Sequence, residues 1–234
     1  MKEIYIYHHL GMGDSLFCNG LIRHFAEQYE RVLVFAKPVY SKNVMFMYRD
    51  NPKIKVIEMD DAGVRSFMRI NPNNNYLVLG HSAEYFYKLD HTDEFTFEGG
   101  FYKMANIPLE YKWTKFYVQR DIEKEKEAFD VVGIKEGEEY LFVHDDTIRG
   151  RNFKKELIRT DIKAIHPVNF QSINLFNFLS IIEKAKEVHV HNSSFANIID
   201  TMELRSDNVF YHKYVRTDCG DQTFSKKLNW IFYE

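Results

Sequence analysis

One pattern constrains this chain more than any other: short apolar runs alternate with segments whose apolar residues return every three or four positions. The first runs are Ile4 with Ile6, then residues 32–36, 54–57 and 76–79. Between the first two, Phe17, Leu21, Phe25 and Tyr29 recur every four residues and predict one face of a helix, with Asp14 or Ser15 as its cap. Short apolar strands linked by amphipathic helices are the pattern of a parallel sheet with crossover helices. A second series follows: a strand at 140–143, a helix over about 172–186, a strand at 188–191, and a short helix on Phe195, Ile198, Ile199 and Met202 capped by Ser193 or Ser194. A strand at 209–211 closes it. Pro108 and the polar stretch QRDIEKEKE separate the two series, so the join is expected near residues 108–120, with lobes 1–112 and 113–234. The asparagines at 73–75 read as a turn.

With 234 residues, 45% of them hydrophobic, the chain can bury two small cores. Its 34 acidic and 31 basic side chains leave a net charge of -3, which argues against bulk nucleic acid or an anionic membrane face as the main partner. Cys18 and Cys219 lie far apart without ligand-like spacing, which points to a reduced protein without a zinc site. No run approaches the roughly 20 apolar residues of a membrane span, and MKEIYIYHHLGMGD lacks the plan of a signal peptide. A cytoplasmic protein without a transmembrane segment is expected.

Three loops carry chemistry. HHLGMGDSLFCNGL, residues 8–21, places Gly11 and Gly13 where a strand turns into a helix, so a phosphate or sugar can approach the backbone; glycine used for turn geometry alone is the competing reading. Leu16 replaces the third glycine of a dinucleotide fingerprint, and Ala36, Lys37 and Pro38 offer no acid for a ribose, which disfavours a nicotinamide enzyme. The Gly-Lys-Ser/Thr ending of a P-loop is also missing. Asp14 can accept a proton from an attacking hydroxyl or serve only as a helix cap.

In FVHDDTIRGRNF, residues 142–153, His144, Asp145, Asp146, Arg149 and Arg151 leave a strand together. Two guanidinium forks suit a diphosphate, unless they only neutralise the neighbouring aspartates. In HVHNSSFANIID, residues 189–200, Ser193 and Ser194 can bind phosphate oxygens and His191 and Asn192 a ribose or base edge, while capping accounts for at least one serine without a ligand. His166 and His212 read as structural or surface groups, and Lys213 and Arg216 in YHKYVR as a basic patch.

LGMGDSLFCNGLIRHF, the following VLVFA strand and NPKIKVI together resemble the amino-terminal lobe of heptosyltransferase-like glycosyltransferases, the family of ADP-heptose:lipopolysaccharide heptosyltransferases, over about the first 60 residues. HVHNSSFANIID is similar to the donor-lobe turn of that family and of fucosyltransferase-like relatives. The resemblance implies an α/β GT-B architecture, two small Rossmann-like lobes facing a cleft, with the aspartate of the Gly-x-Gly-Asp loop, here Asp14, as base. It also implies that basic and small polar residues of the second lobe hold the donor's pyrophosphate, here Arg149, Arg151, Ser193 and Ser194. The expected reaction passes a sugar from a nucleotide-sugar donor to a glycan or other hydroxyl acceptor, as in polysaccharide biosynthesis, with no metal or other cofactor. A nucleotide-sugar epimerase or hydrolase, and a noncatalytic nucleotide- or carbohydrate-binding relative, are the alternatives.

Overall fold

The chain divides into two α/β units, one spanning Met1–Gln119 with Gly220–Thr223 and the other Arg120–Cys219 with Phe224–Glu234. The computed structural model describes residues 2–81, 97–202, 208–217, 222–225 and 228–234. Cys219 falls outside them, and Cys18 is a buried free thiol.

The first unit runs β1 (Glu3–Tyr7), α1 (Met12–Phe17), α2 (Asn19–Gln28), β2 (Arg31–Ala36), α3 (Pro38–Tyr48), β3 (Ile54–Glu58), α4 (Asp61–Ile70), β4 (Tyr76–Val78), α5 (Phe97–Met104) and α6 (Tyr111–Thr114). Its strands pair in parallel in the order β3-β2-β1-β4, with Ile4 opposite Val32, Ile6 opposite Val34 and Tyr7 opposite Val78. Residues 32–36 are all buried, as an inner parallel strand covered on both faces requires. On one face Tyr7, Leu10, Phe35 and Val64 form a core into which Tyr5, Phe67 and Met68 pack.

The second unit contains α7 (Ile122–Val132), β5 (Tyr140–His144), β6 (Lys163–Ile165), α8 (Leu179–Lys184), β7 (Glu187–Val190), α9 (Ser194–Ile199), β8 (Val209–His212) and β9 (Trp230–Tyr233). Its sheet is also parallel, in the order β6-β5-β7-β8-β9. Leu141 and Val143 of β5 pack with Phe153, Ile158 and Ile162. Among the described residues no helix is long and apolar enough to cross a membrane.

Two local expectations change. The first helix opens at Met12 with Gly11 as its N-cap, so neither Asp14 nor Ser15 caps it; Ser15 Oγ instead donates to the Gly11 carbonyl at 3.0 Å. The helix also breaks at Cys18, which distributes the four-residue stripe over α1 and α2. The helix expected over 172–186 shrinks to a 3-10 turn at Leu175–Phe178 followed by α8. Asn174 opens that turn by accepting from the Phe176 N–H at 3.0 Å, a local bond that competes with an earlier helix start.

Candidate functional site

In a doubly wound sheet, ligands bind beyond the carboxyl ends of the strands, where the strand order reverses. That point lies between β1 and β4 in the first unit and between β5 and β7 in the second. Each of the three loops singled out by sequence leaves a strand at one of these two points.

At the first point β1 delivers His8 and His9 and runs through Gly11 into α1. A Cβ at position 11 would lie 2.3 Å from Asp14 Oδ2, so a side chain there would displace the carboxylate that folds back over the loop. Gly13 stands inside the first turn of α1. Asp14 is one-fifth exposed, and its Oδ1 lies 3.9 Å from His9 Nδ1. His9 Nε2 is 2.7 Å from the Gly80 carbonyl, which can only accept, so the ring carries its proton on Nε2 and turns Nδ1 toward Asp14. Tyr7 stacks on His81 with centroids 4.1 Å apart and donates to Asp61 Oδ1 at 3.0 Å, while Lys37 Nζ holds Asp61 Oδ2 at 2.9 Å. Burial, and then the bond to Asp61, push the Tyr7 phenol up to about 12, so it stays a donor. Position 37, read from sequence only as lacking an acid, therefore places a cation near the end of β1.

At the second point His144 closes β5, and Ser193 caps α9 by accepting from the Ala196 N–H at 3.5 Å. His144 Nδ1 and Ser193 Oγ are 3.0 Å apart, which ties the two loops across the reversal. His144 also stacks in parallel with His191 at 5.4 Å between centroids. Burial, then His191 and Arg149, pull the His144 pKa down to about 3, and burial draws His191 to about 4. Both rings are uncharged at neutral pH. Ser194 opens α9, and the backbone carbonyl of Asn192 accepts from Arg216 Nη1 at 3.1 Å. Arg216 thus reaches into the turn rather than standing in an open basic patch; its spacing from β8 was the signal.

Arg149 and Arg151 share one partner: their Nη1 atoms lie 3.3 and 3.9 Å from Asp146 Oδ2. Asp146 and Arg151 exchange backbone bonds at 3.0 and 2.9 Å, closing the loop into a tight bend. The neutralising arrangement weighed from sequence is present, through Asp146 alone, since Asp145 pairs with His166 Nδ1 at 3.1 Å. Arg149 is 63% exposed, so its ion pair is worth under about 1 kcal/mol and yields readily to a stronger anion.

The chain matches no family model and no curated protein sequence. It superposes on two solved structures with a TM-score of 0.60 each. One is a glycosyl transferase family 9 protein from Veillonella parvula DSM 2008, at 9% identity over 99% of this chain and 85% of that one. The other is the ADP-heptose lps heptosyltransferase II of E. coli, at 11% identity over 99% and 90%. The fold is heptosyltransferase-like GT-B. Both parallel sheets belong to this GT-B architecture, as the glycine loop and the serine turn implied. At this identity the GT-B likeness fixes architecture, and activity has to be argued from the side chains.

Proposed function

We propose that the chain is a glycosyltransferase that moves a sugar from a nucleotide-sugar donor to an acceptor hydroxyl without a metal ion. The observation that carries this reading is the place of Asp14 at the reversal point of a GT-B sheet: a carboxylate one-fifth exposed lies over the Gly11 turn, 3.9 Å from His9 Nδ1. Asp14 takes the acceptor's hydroxyl proton as its oxygen attacks the anomeric carbon, and the bond from that carbon to the diphosphate oxygen breaks. Arg149 and Arg151 steady the charge that develops on the departing nucleotide diphosphate, in the place a metal ion would otherwise take. Ser193, Ser194, Asn192 and the uncharged His144 offer hydrogen bonds to phosphate or ribose.

Transfer assayed with a panel of nucleotide sugars and saccharide acceptors tests the reading. Asp14→Asn is expected to lower kcat by at least 100-fold, the scale of a lost general base, with donor binding unchanged. Unaltered turnover in that variant removes Asp14 from the mechanism. Product analysis separates the alternatives: sugar released or inverted without an acceptor marks a hydrolase or epimerase, and binding without any product marks a noncatalytic relative.

A further inference from the structure

Beneath the second turn, a row of polar side chains crosses the interior of the second unit. Glu187 Oε2 lies 3.2 Å from His189 Nε2, His189 Nδ1 lies 3.0 Å from His212 Nε2, and His212 Nδ1 lies 3.0 Å from the Tyr214 hydroxyl. That hydroxyl accepts the backbone N–H of Lys154 at 2.8 Å. Both ends of the row are chemically fixed. A carboxylate can only accept and a peptide N–H can only donate, so every proton between them has one place. Lys154 donates to Tyr214, Tyr214 to His212 Nδ1, His212 from Nε2 to His189 Nδ1, and His189 from Nε2 to Glu187.

We propose that this one-directional chain makes Tyr214, His212 and His189 positioning residues for the arginine loop. The proposal rests on the reading of that loop as a diphosphate site. The loop's far end is clasped by the chain: Phe153 stacks flat on His212 at 3.9 Å, and Lys154 Nζ lies 4.3 Å from the centre of the Tyr214 ring. Arg151 is three residues before Lys154, so whatever holds Lys154 sets where the guanidinium groups reach. Both histidines are buried and depressed in pKa, so both are uncharged at neutral pH, as the chain of single protons requires. Neutral rings linked this way polarise one another and strengthen the terminal bonds.

Nitrogen-15 NMR of histidine-labelled full-length protein reads the proton positions without any ligand. His189 and His212 are both expected to carry the proton on Nε2, and a proton on Nδ1 of His212 overturns the proposal. In Tyr214→Phe and in His212→Phe, which keeps a ring against Phe153, the Lys154 amide is expected to exchange with solvent about five- to tenfold faster, the effect of one lost hydrogen bond. Unchanged exchange in both variants also overturns it. Titration with ADP and with inorganic pyrophosphate then reports on the loop: weaker binding in Tyr214→Phe with intact Arg149 supports positioning, and equal binding opposes it. If wild-type protein binds neither probe, the diphosphate reading fails while the NMR and exchange results still decide the chain.

Discussion

At the scale of single residues, one carboxylate, Asp146, faces two guanidinium groups, and on the proposed reading a donor's phosphates compete with it for them. Asp146 also caps its own bend, its Oδ1 accepting from the Arg149 N–H at 3.3 Å. Asp146→Asn keeps that acceptor and removes the charge, so nucleoside diphosphate affinity is expected to rise severalfold by isothermal titration, whereas Arg149→Ala lowers it about tenfold or more. Equal affinities in wild type, Asp146→Asn and Arg149→Ala exclude the loop as a phosphate site. Buried histidines give a second residue-scale outcome. Burial holds His8 and His191 near a pKa of about 4, while unfolded imidazole titrates near 6.5. As pH falls through this window the unfolded chain gains protons that the native state refuses, so stability falls on acidification and is fully present above about pH 7. Each histidine contributes up to about 1.4 kcal/mol per pH unit within the window. Urea midpoints measured from pH 6.5 to 4.5 should therefore fall, and less steeply in His191→Phe; an identical slope in that variant contradicts the assignment.

Between elements, close approach governs what substitution allows. Gly20 of α2 faces α6 so tightly that a Cβ would lie 1.8 Å from the Tyr111 carbonyl oxygen, a backbone atom that cannot rotate away. Gly20→Ala is expected to destabilise the first unit by about 1–3 kcal/mol, despite alanine's better helix propensity, and a gain in thermal stability would show that the helices part freely. The inner strands β2 and β5 were legible in sequence because each reads as an unbroken apolar run, β7 showed through Val188 and Val190, and Ser193 stands where its cap was expected. The edge strands β6 and β9 were not legible. Lys163 is exposed in the first and Ile231 and Phe232 in the second, so neither carries the fully buried run of an inner strand. Asp14 and the arginines were visible as residue types. Asp146 as the arginines' partner was also legible, since it stands in the same loop, whereas the bond of His9 to Gly80 and the row from Glu187 to Tyr214 depend on strands that meet only after folding.

Across the whole molecule, one deeply buried charge of the first unit is also tied to a stretch of chain more than a hundred residues away. Lys112, with no solvent exposure, places Nζ 2.5 Å from Glu98 Oε2 and 2.7 Å from the carbonyl oxygen of Thr223. Glu98→Gln removes a negative charge from beside that buried ammonium and is expected to cost about 3–5 kcal/mol, whereas replacing both partners by leucine and methionine costs far less. The two tryptophans allow the loss to be located, since Trp113 lies in the first unit and Trp230 in the second. With Trp230→Phe, fluorescence follows only the first unit, and its unfolding midpoint should drop in Glu98→Gln. An unchanged midpoint would mean that the ion pair contributes nothing net.

Because the polypeptide leaves the first unit at Gln119, comes back at Gly220–Thr223 and then returns to finish the other sheet with β9, no single scission yields two complete halves. A fragment ending at Gln119 keeps Lys112 yet forfeits the carbonyl that receives it, and a fragment ending before Trp230 strips an edge from the distant sheet. Damage near the carboxyl terminus is therefore felt by both halves of the protein, and any attempt to express the lobes separately must supply that tail to each.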